Sequence, residues 1–198
     1  MMAAMPERRP SAEPLGNVFY LRDTLVVARD LLGRVLCRLL DGGEVLRGRI
    51  VEVEAYDGPN DRASHAHRGR TRRNASMFEG GGIAYVYQIY GVHFCLNVVT
   101  GDPGYPAAVL LRATEPPRPD SPASGPGRLC RAFGVDRSMD GSSLIDGELW
   151  LEPGRPVPAA GIRRTPRIGV DYAGDSAARR YRFVIAGHDA ASGPRRMR

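Results

Sequence analysis

Apolar and polar side chains alternate with a period of two through IVEVEAYD, residues 50–57. A strand sends successive side chains to opposite faces. Ile50, Glu52, Glu54 and Tyr56 are therefore expected on one face, and Val51, Val53 and Ala55 on the other. Upstream, DTLVVARDLLG (23–33) carries apolar residues at Leu25, Val26, Ala28, Leu31 and Leu32, which predicts a short helix capped by Asp23 and stopped by Gly33. RVLCRLL then runs into the Asp41-Gly42-Gly43 turn and predicts a hairpin with EVLRGRIVEVEAY, so both glutamates ride on its second strand. The strongest alternation is GIAYVYQIYGVHFCLNVVTG (82–101), a second hairpin with its tip near Tyr90. AAVLLRATEP is a strand ended by proline, PPRPDSPASGPG (116–127) a loop, and GRLCRAFG a short helix stopped by Gly134. ELWLEPG, RIGVDY and RYRFVIAG add three candidate strands. Many strands, few helices and no βαβ alternation predict the α+β class. The expected architecture is a single domain, residues 15–190, with a curved antiparallel or mixed β-sheet, peripheral short helices and a protruding β-hairpin. A flexible leader (1–14) and a basic flexible tail (191–198) are expected to flank it.

Composition narrows the chemistry. The 198 residues favour one domain, and a 42% hydrophobic content allows a sizeable core. No run of about 18 apolar residues predicts a membrane span. The N-terminal stretch lacks the apolar centre of a secretion signal. Cys37, Cys95 and Cys130 are odd in number, widely spaced and outside any CxxC, which fits a reducing, cytoplasmic setting. All 28 basic residues are arginine. With no lysine, no side chain can form a Schiff base or anchor phosphate as a P-loop lysine does. The net charge of +6 allows an anionic partner without requiring one, and a solvated basic surface fits equally well. Four arginines in six positions, Arg68, Arg70, Arg72 and Arg73, read either as a solvated loop or as a segment that tracks phosphates.

Three groups of residues carry candidate chemistry. Glu52 and Glu54 share their face with Tyr56, so that face is not simply wet; one acid in a pocket and one paired with arginine is the usual route to a tuned general base. His65 and His67 with Glu52, Glu54 and Asp57 form a weaker candidate metal site, because the segment is loop-like and His93 and His188 are remote. No GxSxG and no recognisable catalytic cysteine is present. Tyr85 and Tyr87 share a face and suit a sheet core. Tyr90, at a hairpin tip, suits a wedge or stacking group. A general base, stacking rings, a projecting ring and an arginine-rich loop together are what a flipped nucleobase needs. A metal-dependent nuclease and a non-enzymatic nucleic-acid-binding module are the competing readings.

RGRIVEVEAYDGPNDRASHA, the MF of ASMFEGGGIAYVYQIYG, HFCLNV, AAVLLRATEP, GPGRLCRAFGV and RIGVDYAG occur in this order over roughly residues 16–187. That ordered set resembles the 3-methyladenine (alkyladenine) DNA glycosylase family. The resemblance implies a monomeric glycosylase that needs no metal or cofactor, acts on double-stranded DNA containing alkylated or deaminated purines and starts base excision repair; the absence of lysine adds that it is monofunctional, releasing the base without cleaving the strand. It implies that Glu54 activates water with Arg112 helping to hold it. Tyr56 and Tyr87 would stack on the extruded base, His65 would contact it, and Asn97 would gate against guanine's amino group. Tyr90 would fill the gap in the duplex, and Ile185 would offer a carbonyl to the water. The chain departs from the family in three places. PPRPDSPAS stands where a helical insertion is common, Val92 and His93 follow the turn glycine, and His67 rivals His65 as the base-contacting histidine.

Overall fold

In the computed structural model, which describes residues 12–193, the alternating strand around Glu54 is the spine of the domain. Two short helices come first, α1 (Asn17–Tyr20) and α2 (Thr24–Leu31). The Asp23 side chain caps α2 by accepting from the amides of Leu25 and Val26, both at 3.0 Å. Gly33 follows at φ +86°, and a Cβ there would lie 2.1 Å from the Arg155 carbonyl oxygen, so the stop demands glycine twice over. Strands β1 (Val35–Leu39) and β2 (Val45–Asp57) form the first hairpin, and β3 (Ala84–Ile89) and β4 (His93–Thr100) the second. Then come β5 (Ala107–Thr114), α3 (Pro126–Phe133), β6 (Leu149–Glu152), β7 (Ile162–Thr165) and β8 (Arg182–Ile185). The sheet order is β3-β4-β5-β2-β1-β6, with β8 joining β2 to β7. Every pairing is antiparallel. The α+β expectation of a curved sheet with short helices in a single domain therefore holds.

Alternation sorts the two faces of the sheet. Val53 and Ala55 of β2, Ala84 and Val86 of β3, Leu96 and Val98 of β4, and Val109 and Leu111 of β5 enter one core. There they meet Val27, Ala28 and Leu31 of α2 and Leu129 and Phe133 of α3. The opposite face is covered by loops instead. Ala66 and Met77 pack on Tyr85, Val99 and Ala108, while Ala63, Val170 and Ala173 pack beside Tyr56. The helices thus seal one face, and the chemistry collects on the other.

Three expectations need correction. Ile50 does not share the carboxylates' face: it joins Val53 and Ala55 in the helix-side core, because the β2–β5 register shifts on both sides of Glu52. RIGVDY is not a strand. The Ile168 amide donates to a glutamate side chain rather than to a ladder, and Asp171–Ala178 winds into 3-10 turns. The tail does not begin as a free segment at 191. Ala191 and Ser192 are buried, and Ser192 hydrogen-bonds Glu52. Residues 194–198 and residues 1–11 of the expected leader lie outside the described residues. One strand, β7, had no counterpart in the sequence reading: IRRT carries arginines at an exposed edge and shows no apolar alternation.

Candidate active site

One cross-strand row runs Tyr85–Asn97–Leu110–Glu54–Arg182 through β3, β4, β5, β2 and β8. The register therefore places a carboxylate, an amide, a phenol and a guanidinium on the loop-covered face. Between that face and the loops lies a cavity of about 330 Å³. Tyr56, His65, Tyr87, Asn97 and Arg112 line it, and Tyr90 reaches its rim.

Glu54 lies beneath the cavity with no exposed surface. One carboxylate oxygen accepts the Ile168 N–H at 2.8 Å. The other accepts the Tyr56 hydroxyl at 3.0 Å and Arg112 Nη1 at 3.2 Å. All three partners line the cavity. An ionised carboxylate offers about four acceptor positions, so one remains after these three donors. Burial, then Glu54, hold the Tyr56 phenol well above its ordinary range, which keeps it a donor.

Glu52, two residues away, has a different setting. Arg112 Nε (2.8 Å), Arg182 Nε (2.7 Å) and the Ser192 hydroxyl (2.8 Å) converge on one of its oxygens, and the Ser192 amide (2.5 Å) on the other. Arg112 therefore bridges both acids. Burial opposes its charge, but Glu54 and Glu52 more than offset that. Both acids are fully buried; Glu54 is held by three residues that line the cavity, and Glu52 by Arg182 and Ser192, which do not, together with the shared Arg112.

The rings form the wall. Tyr85 and Tyr87 have centroids 5.3 Å apart, and His65 packs edge-on to Tyr87 at 4.5 Å. His65 Nδ1 lies 2.9 Å from the Tyr85 hydroxyl. Burial, then Arg73, push the His65 imidazole below its usual pKa. His67 is tied to the Pro59 carbonyl instead, and of the two histidines only His65 lines the cavity. The Asn97 amide donates to the Tyr85 carbonyl at 3.0 Å, fixing the side chain in the cavity wall.

The model of the methylpurine-DNA glycosylase family matches residues 18–189. The chain belongs to this family. Three bacterial relatives carry the name "Putative 3-methyladenine DNA glycosylase". The Herpetosiphon aurantiacus protein is 49% identical over 200 residues, covering 92% of this chain and 90% of its own. The Myxococcus xanthus protein is 50% identical, covering 86% and 89%. The Streptomyces avermitilis protein is 44% identical, covering 93% and 91%. Family membership makes the chain a DNA glycosylase, a hydrolase of DNA repair.

For a methylpurine-DNA glycosylase, the remaining assignments divide. Tyr90 occupies the hairpin tip at φ +50° and is 89% exposed. Ile185 is misplaced: it packs against the helix-side core, and its carbonyl accepts the His188 amide away from the cavity. Ile168, inside the stretch expected to be a strand, does line the cavity. Arg73 lies 5.7 Å from the Tyr87 ring and Arg70 5.7 Å from Phe78, whereas Arg68 lines a neighbouring hollow and Arg72 is exposed. Arg167 opens the RIGVDYAG motif but is assigned no role from the sequence. Its guanidinium ion-pairs with buried Asp61 and sits 4.8 Å from the Tyr56 ring. Among the described residues, no three of His, Cys, Asp and Glu gather as a metal site. Glu52 is held by arginines, and Asp57 by Tyr105 at 3.1 Å. All three cysteines are free and buried, and burial pushes the Cys37 thiol up to about 12 and also raises Cys95 beside the cavity. Among the described residues no helix is long and apolar enough to cross a membrane.

Proposed function

We propose that the protein extrudes an alkylated purine from duplex DNA into the 330 Å³ cavity and hydrolyses its N-glycosidic bond, starting base excision repair. Deaminated purines such as hypoxanthine form a second lesion class. The observation that carries this reading is Glu54, held by Ile168, Tyr56 and Arg112 directly under an aromatic-walled cavity.

In this mechanism Tyr56 and Tyr87 sandwich the base. N3- or N7-alkylation makes the purine cationic, and an aromatic face attracts it by about 0.5–2 kcal/mol. The charge also makes the purine a good leaving group. Glu54 takes a proton from a water on the cavity side of its carboxylate as that water's oxygen bonds to the anomeric carbon and the purine departs. A positioned base of this kind contributes about 10²–10⁴ in rate. Arg112 helps to hold that water, and the Ile168 amide keeps the Glu54 carboxylate oriented beside it. Asn97, fixed by the Tyr85 carbonyl, excludes guanine's exocyclic amine. Tyr90 fills the vacated stack, and Arg68, Arg70, Arg72 and Arg73 contact phosphates. With no lysine in the chain, no side-chain amine forms an imine with the sugar, so the backbone stays intact. The buried free thiols suit a reducing cytoplasm, where the protein acts as a monomer.

The test is excision from duplexes containing 3-methyladenine or hypoxanthine, with alkali treatment before a gel. Strand breaks are expected only after alkali, unaffected by excess chelator, and absent for Glu54→Gln even though that variant still binds the lesion. Excision by Glu54→Gln at the wild-type rate, or breaks before alkali, would refute the mechanism.

A further inference from the structure

A second hollow, of about 490 Å³, opens beside the base cavity. Arg62, Ser64, His65, His67, Arg68 and Tyr172 line it, with no carboxylate among them. His65 and Tyr172 line both spaces, so the two share a rim. Arg22, Arg38, Arg112, Arg118, Arg137, Arg167 and Arg182 each have a carboxylate within 4 Å, whereas Arg73, Arg164, Arg179 and Arg180 are met by backbone carbonyls. Among the described residues neither Arg62 nor Arg68 has such a partner. Two unneutralised guanidiniums in one concavity attract an anion.

The walls are set rather than floppy. Amide-to-carbonyl turns at Ser64→Asp61, His67→Ser64 and Gly69→Ala66 stack along the segment. The buried Asp61–Arg167 pair pins its start. The Ser64 hydroxyl accepts the Ala66 amide at 3.2 Å, which leaves its proton to donate. His67 Nδ1 is engaged by the Pro59 carbonyl, which leaves Nε2 as the other ring nitrogen. Tyr172 is 71% exposed and presents an apolar ring at the shared rim. Guanidiniums, an imidazole and a hydroxyl match the oxygens of a phosphodiester. The ring suits a deoxyribose.

Building on the proposed glycosylase reading, the geometry points to a binding subsite for one phosphodiester flanking the everted nucleotide. Its base fills the first cavity, its sugar crosses the rim at Tyr172, and the adjoining phosphate seats between Arg62 and Arg68. The subsite thus recognises the flipped strand and not the undistorted duplex. It adds Arg62, His67 and Tyr172 to the residues that hold DNA.

The test uses the full chain with Glu54→Gln, to allow binding without turnover. Lesion duplexes carry an uncharged methylphosphonate at one phosphate at a time on either side of the lesion. At one position, the neutral linkage weakens binding by roughly tenfold, as does Arg62→Ala/Arg68→Ala, on the scale of a charge-assisted contact. Combining the two causes no further loss at that position, while losses multiply elsewhere. The double variant loses less on undamaged duplex than on lesion duplex. Losses that multiply at every position, or an equal loss on undamaged duplex, would overturn the subsite. Excision by the wild-type protein is measured in parallel: its absence would sink the glycosylase reading, whereas its presence without coupling sinks only the subsite.

Discussion

Glu52 and Glu54 are both fully buried and both touch Arg112, yet their removal is expected to have opposite consequences. Glutamine preserves the shape of each side chain and deletes only its charge. At Glu52 the deletion leaves Arg182, itself fully buried, without the anion 2.7 Å from its Nε. Removing one partner of a buried pair costs about 3–5 kcal/mol, because the surviving charge stays out of water. A domain of this size has about 5–15 kcal/mol in hand. Its melting temperature falls by about 2–4 °C per kcal/mol, so Glu52→Gln should melt roughly 6–20 °C lower. At Glu54 the amide oxygen can still accept from Ile168 or Tyr56, and Arg112 keeps Glu52 at 2.8 Å. Glu54→Gln is therefore a loss of about 1–3 kcal/mol, the scale of one impaired buried hydrogen bond, while excision vanishes. Thermal unfolding followed by single-turnover excision on the folded fraction separates the two. If Glu52→Gln melts within about 2 °C of wild type, or Glu54→Gln is the less stable variant, the division of labour between the acids is wrong.

Three further outcomes are expected. Tyr90 holds φ +50°, a conformation that costs a non-glycine residue about 1–2 kcal/mol; Tyr90→Gly should raise the melting temperature yet weaken binding to lesion duplex, and a variant that binds as well as wild type would remove the wedge role. Burial alone would raise the Asp61 carboxyl, but Arg167 outweighs it and holds the group below its usual range. With the folded pKa depressed, this contribution to stability is complete above the unfolded value of about 3.9 and lost as pH falls through the folded one; urea titrations of wild type and Asp61→Asn below pH 4 should converge, and parallel curves would contradict this. The His65 imidazole, lowered by burial and then by Arg73, should titrate by NMR below about 6.5, and Arg73→Ala should move its midpoint upward; an unmoved midpoint would remove Arg73 as a cause.

Legibility followed the range of the forces involved. The hairpins, α2 with its Asp23 cap and the Gly134 stop depend on neighbours in sequence, and alternation with turn chemistry revealed them. Tyr56, Tyr87, Asn97 and Arg112 share a cavity because strand periodicity survives the sheet's curvature. Ile50 shows the limit: a register shift beside Glu52 is invisible to a strict period of two. RIGVDY reads as a strand by residue type, yet the Ile168 amide and the Arg167 guanidinium serve carboxylates more than 100 positions away. Ser192 looked like the start of a polar tail. Only the folded domain shows its amide and hydroxyl meeting a buried acid from β2.

The span of those last contacts has a consequence for synthesis. Glu52 leaves the ribosome long before Arg112, Arg182 and Ser192, which close around it at separations of 60, 130 and 140 residues. Loop closures this long delay folding. A nascent chain can bring Arg112 to both acids early, but it cannot complete the shell of Glu52 until Arg182 and Ser192 have been made. Glu54 waits in the same way for the Ile168 amide, 114 residues downstream, so the donor shells of both buried acids close late in synthesis.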